Sequence, residues 1–125
     1  MIALDSSALI AYLSGARDAV TDAVDVAFGE RQACLPPVVL AELTSDPRLS
    51  ADVAALFRSL PLLEVVDGYW ARAGDLRGRL LARGHKARLA DTLVAQSCID
   101  HDVGLITLDR DFRHFVRHGG LRLLP

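Results

Sequence analysis

Apolar and polar positions fall in short alternating blocks along these 125 residues. The apolar run Ile2 to Asp5 ends in an acid, and Ser6-Ser7 then predict the cap of a helix from Ala8 to Leu13, stopped at Ser14-Gly15. Val20, Val24 and Ala27/Phe28 repeat at helical spacing within Ala16 to Glu30, while Asp18, Asp22 and Asp25 take the solvated side. Gln32 to Leu35 reads as a strand. Pro36-Pro37 opens the next helix, where a missing N–H costs nothing. That helix is apolar nearly all round at Val38, Val39, Ala41 and Leu43, so Glu42 stands out in it.

The second half repeats the scheme. Asp46-Pro47 breaks the pattern, and Ser50 to Ser59 forms a helix with Val53, Ala54, Leu56 and Phe57 inward. Leu62 to Val66 reads as a strand. Asp67 caps a long helix from about Gly68 to Arg83, stopped by Gly84, with Trp70, Ala73, Leu76 or Arg77, and Leu80 or Leu81 on its buried side. Next comes a helix with Ala90, Leu93, Val94, Ser97 and Cys98 inward, at spacings i, i+3, i+4, i+7 and i+8. The apolar run Val103 to Ile106 follows, with Asp109 and Asp111 just past it. Phe112 and Phe115 pack back on a helical turn, and Leu121 to Leu124 closes the chain as a strand. Strands alternating with helices predict an α/β fold: a three-layer α/β/α sandwich on a mostly parallel sheet of about five strands, in a single domain over 1–125.

Composition narrows the function classes. A hydrophobic fraction of 51% fills one core and excludes disorder. No apolar run reaches the roughly 18 residues of a membrane span, and no basic leader precedes the first strand, so the expected location is the cytoplasm, with no membrane partner. Cys34 and Cys98 sit in apolar elements and read as buried free thiols. A net charge of −2 means that any nucleic-acid binding rests on a local patch or on metal.

The acids carry the candidate chemistry. In open parallel sheets, ligands sit outside the carboxyl ends of strands, where the strand order reverses. Asp5 and Asp109 each follow a strand, whereas Asp91 and Glu42 lie early in helices, whose N-termini face that same edge. If the first strand neighbours the run Val103 to Ile106, these four acids share one crevice. Clustered carboxylates repel unless neutralised. Mg²⁺ or Mn²⁺ suits carboxylate and water ligands, and no His/Cys spacing suggests zinc. Such ions activate water for in-line phosphodiester hydrolysis. The expected metal ligands are Asp5, Asp91 and Asp109, with Glu42 acting through water or a second metal.

IALDSSALIAYL, LPPVVLAEL, RLADTLVAQSCIDHDVGLIT and TLDRDF occur in an order and at a length that resemble the PIN-domain ribonucleases, most closely the VapC-type toxins of bacterial toxin–antitoxin pairs. The resemblance spans nearly the whole chain. It implies a metal-dependent endoribonuclease that prefers single strands, with the family's acidic quartet on Asp5, Glu42, Asp91 and Asp109. Auxiliary hydroxyls fall on Ser6 and Thr107, and Asp111 is an extra acid, either an outer ligand or a turn residue. It further implies a homodimer and a small VapB-like antitoxin that places a basic side chain in the pocket. Substrate RNA, single-stranded or structured, is not named by these motifs.

Arg72, Arg79 and Arg83 return to one face of the long helix, and Lys86 and Arg88 continue toward Asp91, a ramp suited to phosphates. Arg110, Arg113, His114, Arg117 and His118 make a second basic cluster that fits RNA or the antitoxin. Two other readings stand beside the nuclease. One is a non-catalytic PIN-like module that only binds RNA or protein. The other is an aspartyl-phosphate phosphohydrolase with Asp109 of Asp109-Arg110-Asp111 as nucleophile.

Overall fold

The computed structural model describes residues 1–125. Strand β1 (Ile2–Leu4) leads into helices α1 (Ser6–Leu13) and α2 (Ala19–Gly29), then β2 (Ala33–Cys34), α3 (Pro37–Thr44), α4 (Ala51–Ser59) and α5 (Tyr69–Ala82). Helix α6 (Leu89–His101), strand β3 (Gly104–Ile106), a 3₁₀ turn at Arg110–Phe112, α7 (Arg113–Gly119) and β4 (Leu123–Leu124) complete the chain. The sheet is wholly parallel in the order β2-β1-β3-β4. Ile2 pairs with both Ala33 and Gly104, so β1 is central and fully flanked. The chain winds outward from β1 to β2 and then resumes at β3 on the other side. The order therefore reverses between β1 and β3, and the crevice at their carboxyl ends is where such sheets bind ligands.

The sheet has four strands, one fewer than the pattern predicts. Only Leu62 of the stretch Leu62 to Val66 meets the sheet, in an isolated parallel bridge to Leu35. Two backbone bonds flank it, Leu35 N–H to Pro61 carbonyl at 2.9 Å and Leu63 N–H to Leu35 carbonyl at 3.0 Å. Leu63 is buried, but Val65 and Val66 turn out to solvent, so the segment gains no second pair of bonds.

Several helix ends differ from their pattern-based positions for local reasons. Helix α1 starts at Ser6 rather than Ala8, with Asp5 at the N-cap position and its side chain engaged elsewhere. Helix α2 starts at Ala19 because Asp18 caps it. Thr21 N–H donates to Asp18 Oδ1 at 2.8 Å and Asp18 N–H to Thr21 Oγ1 at 2.9 Å, a reciprocal box that satisfies two first-turn groups. On α5, Tyr69, Ala73, Leu76 and Leu80 are buried, whereas Trp70 is 65% exposed. The stripe begins one residue earlier than expected, and one residue is about 100° of helix. Tyr69 also spends its hydroxyl on the Leu93 carbonyl at 2.6 Å, which fixes α5 against α6. Leu56 of α4 lies at the surface, while Ala54 and Phe57 are buried.

Helix α6 is buried at Thr92 and from Val94 to Cys98, with Leu93 half-buried. It packs on α5, α3 and α7. Its polar residues are satisfied within the helix or by a neighbour: Thr92 Oγ1 donates to the Arg88 carbonyl, and Gln96 Nε2 to Asp100 Oδ1, each at 2.8 Å. This buried rod fixes Asp91, in its first turn, at the mouth of the crevice. Cys34 and Cys98 are buried and free, as expected from their apolar surroundings. No helix is long and apolar enough to cross a membrane.

Candidate active site

Asp5 leaves β1 with its backbone N–H on the Ile106 carbonyl at 3.0 Å, which extends the β1–β3 ladder one residue into the crevice. The residue is only 5% exposed. Such a buried acid needs donors. It has two: Ser7 Oγ and Thr107 Oγ1 each donate to Oδ2 at 2.8 Å. These hydroxyls lie 3.2 Å apart. Ser7 Oγ accepts the Leu108 N–H, and Thr107 Oγ1 accepts the Asp109 N–H, both at 3.0 Å. Asp109 Oδ1 in turn accepts the Asp111 N–H at 2.9 Å, which shapes the 3₁₀ turn. One connected network thus ties the end of β1 to the loop after β3.

The hydroxyl beside Asp5 belongs to Ser7, not to Ser6, where the motif resemblance put it. Ser6 instead lines a surface cavity of about 370 Å³ that it shares with Glu42. The sequence signal was ambiguous, since adjacent serines at a helix start differ only in rotation, and the true first residue of α1 decides between them.

Asp91, Asp109 and Asp111 converge. Each offers a carboxylate oxygen, and these oxygens lie within 4.8 Å of one another. Asp111, ambiguous in the sequence, is therefore in the cluster. Its Oδ2 also meets Lys86 Nζ at 3.2 Å. Asp5 and Glu42 stand outside this tightest trio but within its field. Burial first, then the charges of Asp109 and Asp5 and, least of all, Asp111, push the Asp91 carboxyl up to about 6, opposed by Arg88. Partial burial first, then Asp5 and Asp91, raise Glu42. Glu42 is exposed on α3, at the edge of an apolar groove lined by Ile10, Leu13, Leu49, Val53 and Phe57.

The donor set fits a hard divalent cation: all-oxygen, anionic, clustered and lacking enough nearby cations to neutralise it. A divalent ion there would offset the repulsion from neighbouring carboxylates that adds to burial in raising Asp91.

The basic residues divide. Arg72 is committed to structure: its Nε and Nη2 grip Asp100 at 2.9 and 2.6 Å, and its Nη1 donates to the Asp67 carbonyl. Lys86 reaches the acidic cluster through Asp111. Arg79 lines a cavity of about 740 Å³ between α5, α6 and α7, together with Arg72 and Gln96. Arg83 and Arg88 form no ion pair.

The model of the PIN domain family matches residues 2–117. The chain belongs to the PIN domain family. Solved structures agree with this PIN fold. A VapBC from Salmonella typhimurium, bound to DNA, has a chain similar at TM-score 0.76 and 19% identity, covering 99% of this chain and 98% of that one. VapBC2 from Rickettsia felis, bound to a fragment of its promoter, gives 0.70 and 20%, covering 99% and 98%. VapBC-5 from Mycobacterium tuberculosis, a member of the VapBC family of toxin-antitoxin systems, gives 0.67 and 20%, covering 98% and 96%. No curated protein matches the chain by sequence. As a PIN domain, the protein carries its acidic cluster at the carboxyl edge of the sheet, beside the reversal of strand order.

Proposed function

We propose that this PIN domain is a Mg²⁺- or Mn²⁺-dependent endoribonuclease, the toxin of a type II toxin–antitoxin pair. The observation that carries the reading is the convergence of Asp91, Asp109 and Asp111, with the Asp91 carboxyl raised by burial and by its acidic neighbours. Asp91 and Asp109 would hold the ion with Asp111 or Asp5, and Glu42 would act from the rim. A divalent ion bound there would supply an activated water and charge stabilisation for in-line phosphodiester hydrolysis. The chain's own residues prepare that site. Ser7 and Thr107 fix the rotamer of Asp5 and satisfy its buried carboxylate by donating to it. Asp109 is oriented by its bond to the Asp111 N–H. Lys86 balances one negative charge at the rim. Arg79, Arg83, Lys86 and Arg88 face phosphates that flank the cut, whereas Arg72 serves α5–α6 packing.

The VapBC neighbours support a small protein antitoxin as partner, and the working unit in this reading is a homodimer. The groove beside Glu42 suits an antitoxin. Ile10 and Leu13 of α1 are exposed there, and Leu49, Val53 and Phe57 line it with them. A basic side chain from the antitoxin would repeat at the pocket what Lys86 does at Asp111. The test is cleavage of single-stranded RNA by purified protein with Mn²⁺, with and without EDTA. Asp5→Asn and Asp91→Asn are expected to abolish it. Undiminished cleavage by both variants overturns the assignment. Binding of RNA without any cleavage favours the non-catalytic module instead.

A further inference from the structure

Helix α7 carries positive charge that the acidic pocket does not use. Arg113 and Arg117, one turn apart, line a surface cavity of about 260 Å³ together with His114, and no apolar residue contributes to it. His114 and His118 repeat the same spacing on the neighbouring line of the helix. His85, from the loop between α5 and α6, stacks on His114 with ring centroids 4.6 Å apart and lies 5.0 Å from His118. The Nε2 atom of His118 is shielded and has no hydrogen-bond partner.

No carboxylate balances this group. The ion pairs of the protein involve Arg48, Arg72, Lys86 and Arg122, and none involves Arg83, Arg113 or Arg117. Burial first, then Arg83 at the end of α5, His85, and Arg117 and His114 of its own helix, push the His118 imidazole below its ordinary value. Three imidazoles invite comparison with a transition-metal site. Two facts oppose that: the His85 and His114 rings lie nearly parallel, at 22°, rather than aiming nitrogens at one point, and guanidinium groups next to them repel a cation. Guanidinium groups and imidazole N–H groups together suit an anion with several acceptor oxygens.

The cluster borders the acidic pocket. Helix α7 continues directly from the turn that begins after Asp109. Lys86, next to His85 in sequence, touches Asp111. We propose that Arg83, Arg113 and Arg117, with His85 and His114, form a phosphodiester-binding subsite that holds the nucleic-acid strand where it leaves the acidic pocket, with His118 packed beneath them. This rests on the nuclease reading above and adds residues to it. Backbone phosphates carry no sequence information, so the subsite positions the strand and does not select its bases.

The test is binding of a labelled single-stranded oligoribonucleotide in EDTA, by fluorescence anisotropy over a salt series. The full chain with Asp91→Asn serves as parent, so nothing is cleaved. Arg113→Gln with Arg117→Gln, and separately His85→Gln with His114→Gln, are expected to weaken binding about tenfold or more. The slope of log affinity against log salt should become shallower by about 0.7 for each phosphate that is no longer neutralised, equally for oligonucleotides of different sequence. The arginine positions are exposed, so that pair is expected to melt like the parent and decides the matter if the histidine pair misfolds. Unchanged affinity and slope overturn the proposal, as does a parent that binds no RNA at low salt. Unchanged RNA binding with weakened antitoxin binding assigns the patch to a protein instead, and also overturns it. Retained, α7-dependent binding by a wild-type chain that never cleaves counts against the nuclease reading alone.

Discussion

Thr107 Oγ1 donates to Asp5 Oδ2 at 2.8 Å across 102 positions of sequence. That bond joins the end of β1 to the end of β3 at the point where the strand order reverses. The same oxygen accepts the Asp109 N–H, so one hydroxyl holds two of the site's acids in register. Thr107→Val keeps the shape and removes the donor, leaving a buried carboxylate with one fewer partner. The expected cost is about 1–3 kcal/mol of stability. Metal affinity should fall roughly 10- to 100-fold, as for other residues that orient ligands. Thr107→Ser should restore both. Thermal melts and Mn²⁺ titration check this, and equal behaviour of Val and Ser variants would contradict it.

Ser7, rather than Ser6, should matter to the site. Ser7→Ala removes the second donor to Asp5 and the acceptor of the Leu108 N–H. It is expected to lower the melting temperature and the Mn²⁺ affinity, while Ser6→Ala leaves both close to wild type. The reverse order would contradict the hydrogen-bond network around Asp5.

Divalent metal should stabilise the protein. An ion that binds only the folded state contributes about 2.7 kcal/mol at a hundred times its Kd. Mn²⁺ in differential scanning fluorimetry is therefore expected to raise Tm by several degrees in wild type and much less in Asp91→Asn or Asp109→Asn. Asp111→Asn is informative in a different way. A reduced shift makes Asp111 a ligand, and a full shift makes it a turn residue that only anchors Lys86.

The metal-free protein should lose stability as pH rises through the Asp91 titration. Asp91 is raised from 3.8 to about 6, so the folded state holds the proton more tightly than the unfolded chain. The stabilisation this gives is full below about pH 4 and gone above about pH 6. Glu42 is shifted in the same direction and adds to the effect. Urea melts in EDTA across pH 4 to 7 are expected to show the decline, and Asp91→Asn should flatten it. Saturating Mn²⁺ should reverse the slope, since binding requires deprotonated ligands.

Arg72 should act on stability and not on RNA. Its forked contact to Asp100, a carboxylate whose side chain is 7% exposed, holds α5 to α6. Arg72→Gln is expected to lower Tm and leave oligonucleotide affinity unchanged. The Asp100 carboxyl is held below its ordinary range chiefly by Arg72, so the pair's contribution is present at neutral pH and lost as pH falls through that lowered value. A variant with normal Tm but weakened RNA binding would return Arg72 to the basic ramp.

Much of this protein is written in local pattern. Short apolar runs ending in acids mark Asp5 and Asp109, helix periodicity marks Asp91 at the start of α6, and an acid among apolar residues marks Glu42. Parallel topology alone directs strand ends and helix starts to one edge, because side-chain period and chain direction are local properties. What local pattern does not contain is rotation and pairing. One residue of helical phase buries Tyr69 and exposes Trp70, and the same uncertainty separates Ser7 from Ser6. The stretch after Pro61 has strand composition but gains only one bridge, because strand formation depends on a neighbour that continues alongside. The entry of Asp111 into the acidic trio, the commitment of Arg72 to Asp100, and the gathering of His85 with His114 and His118 each join residues whose separations in sequence carry no period. Those contacts exist only once β1 and β3 lie side by side and α5, α6 and α7 pack together, so the tertiary structure alone decided them.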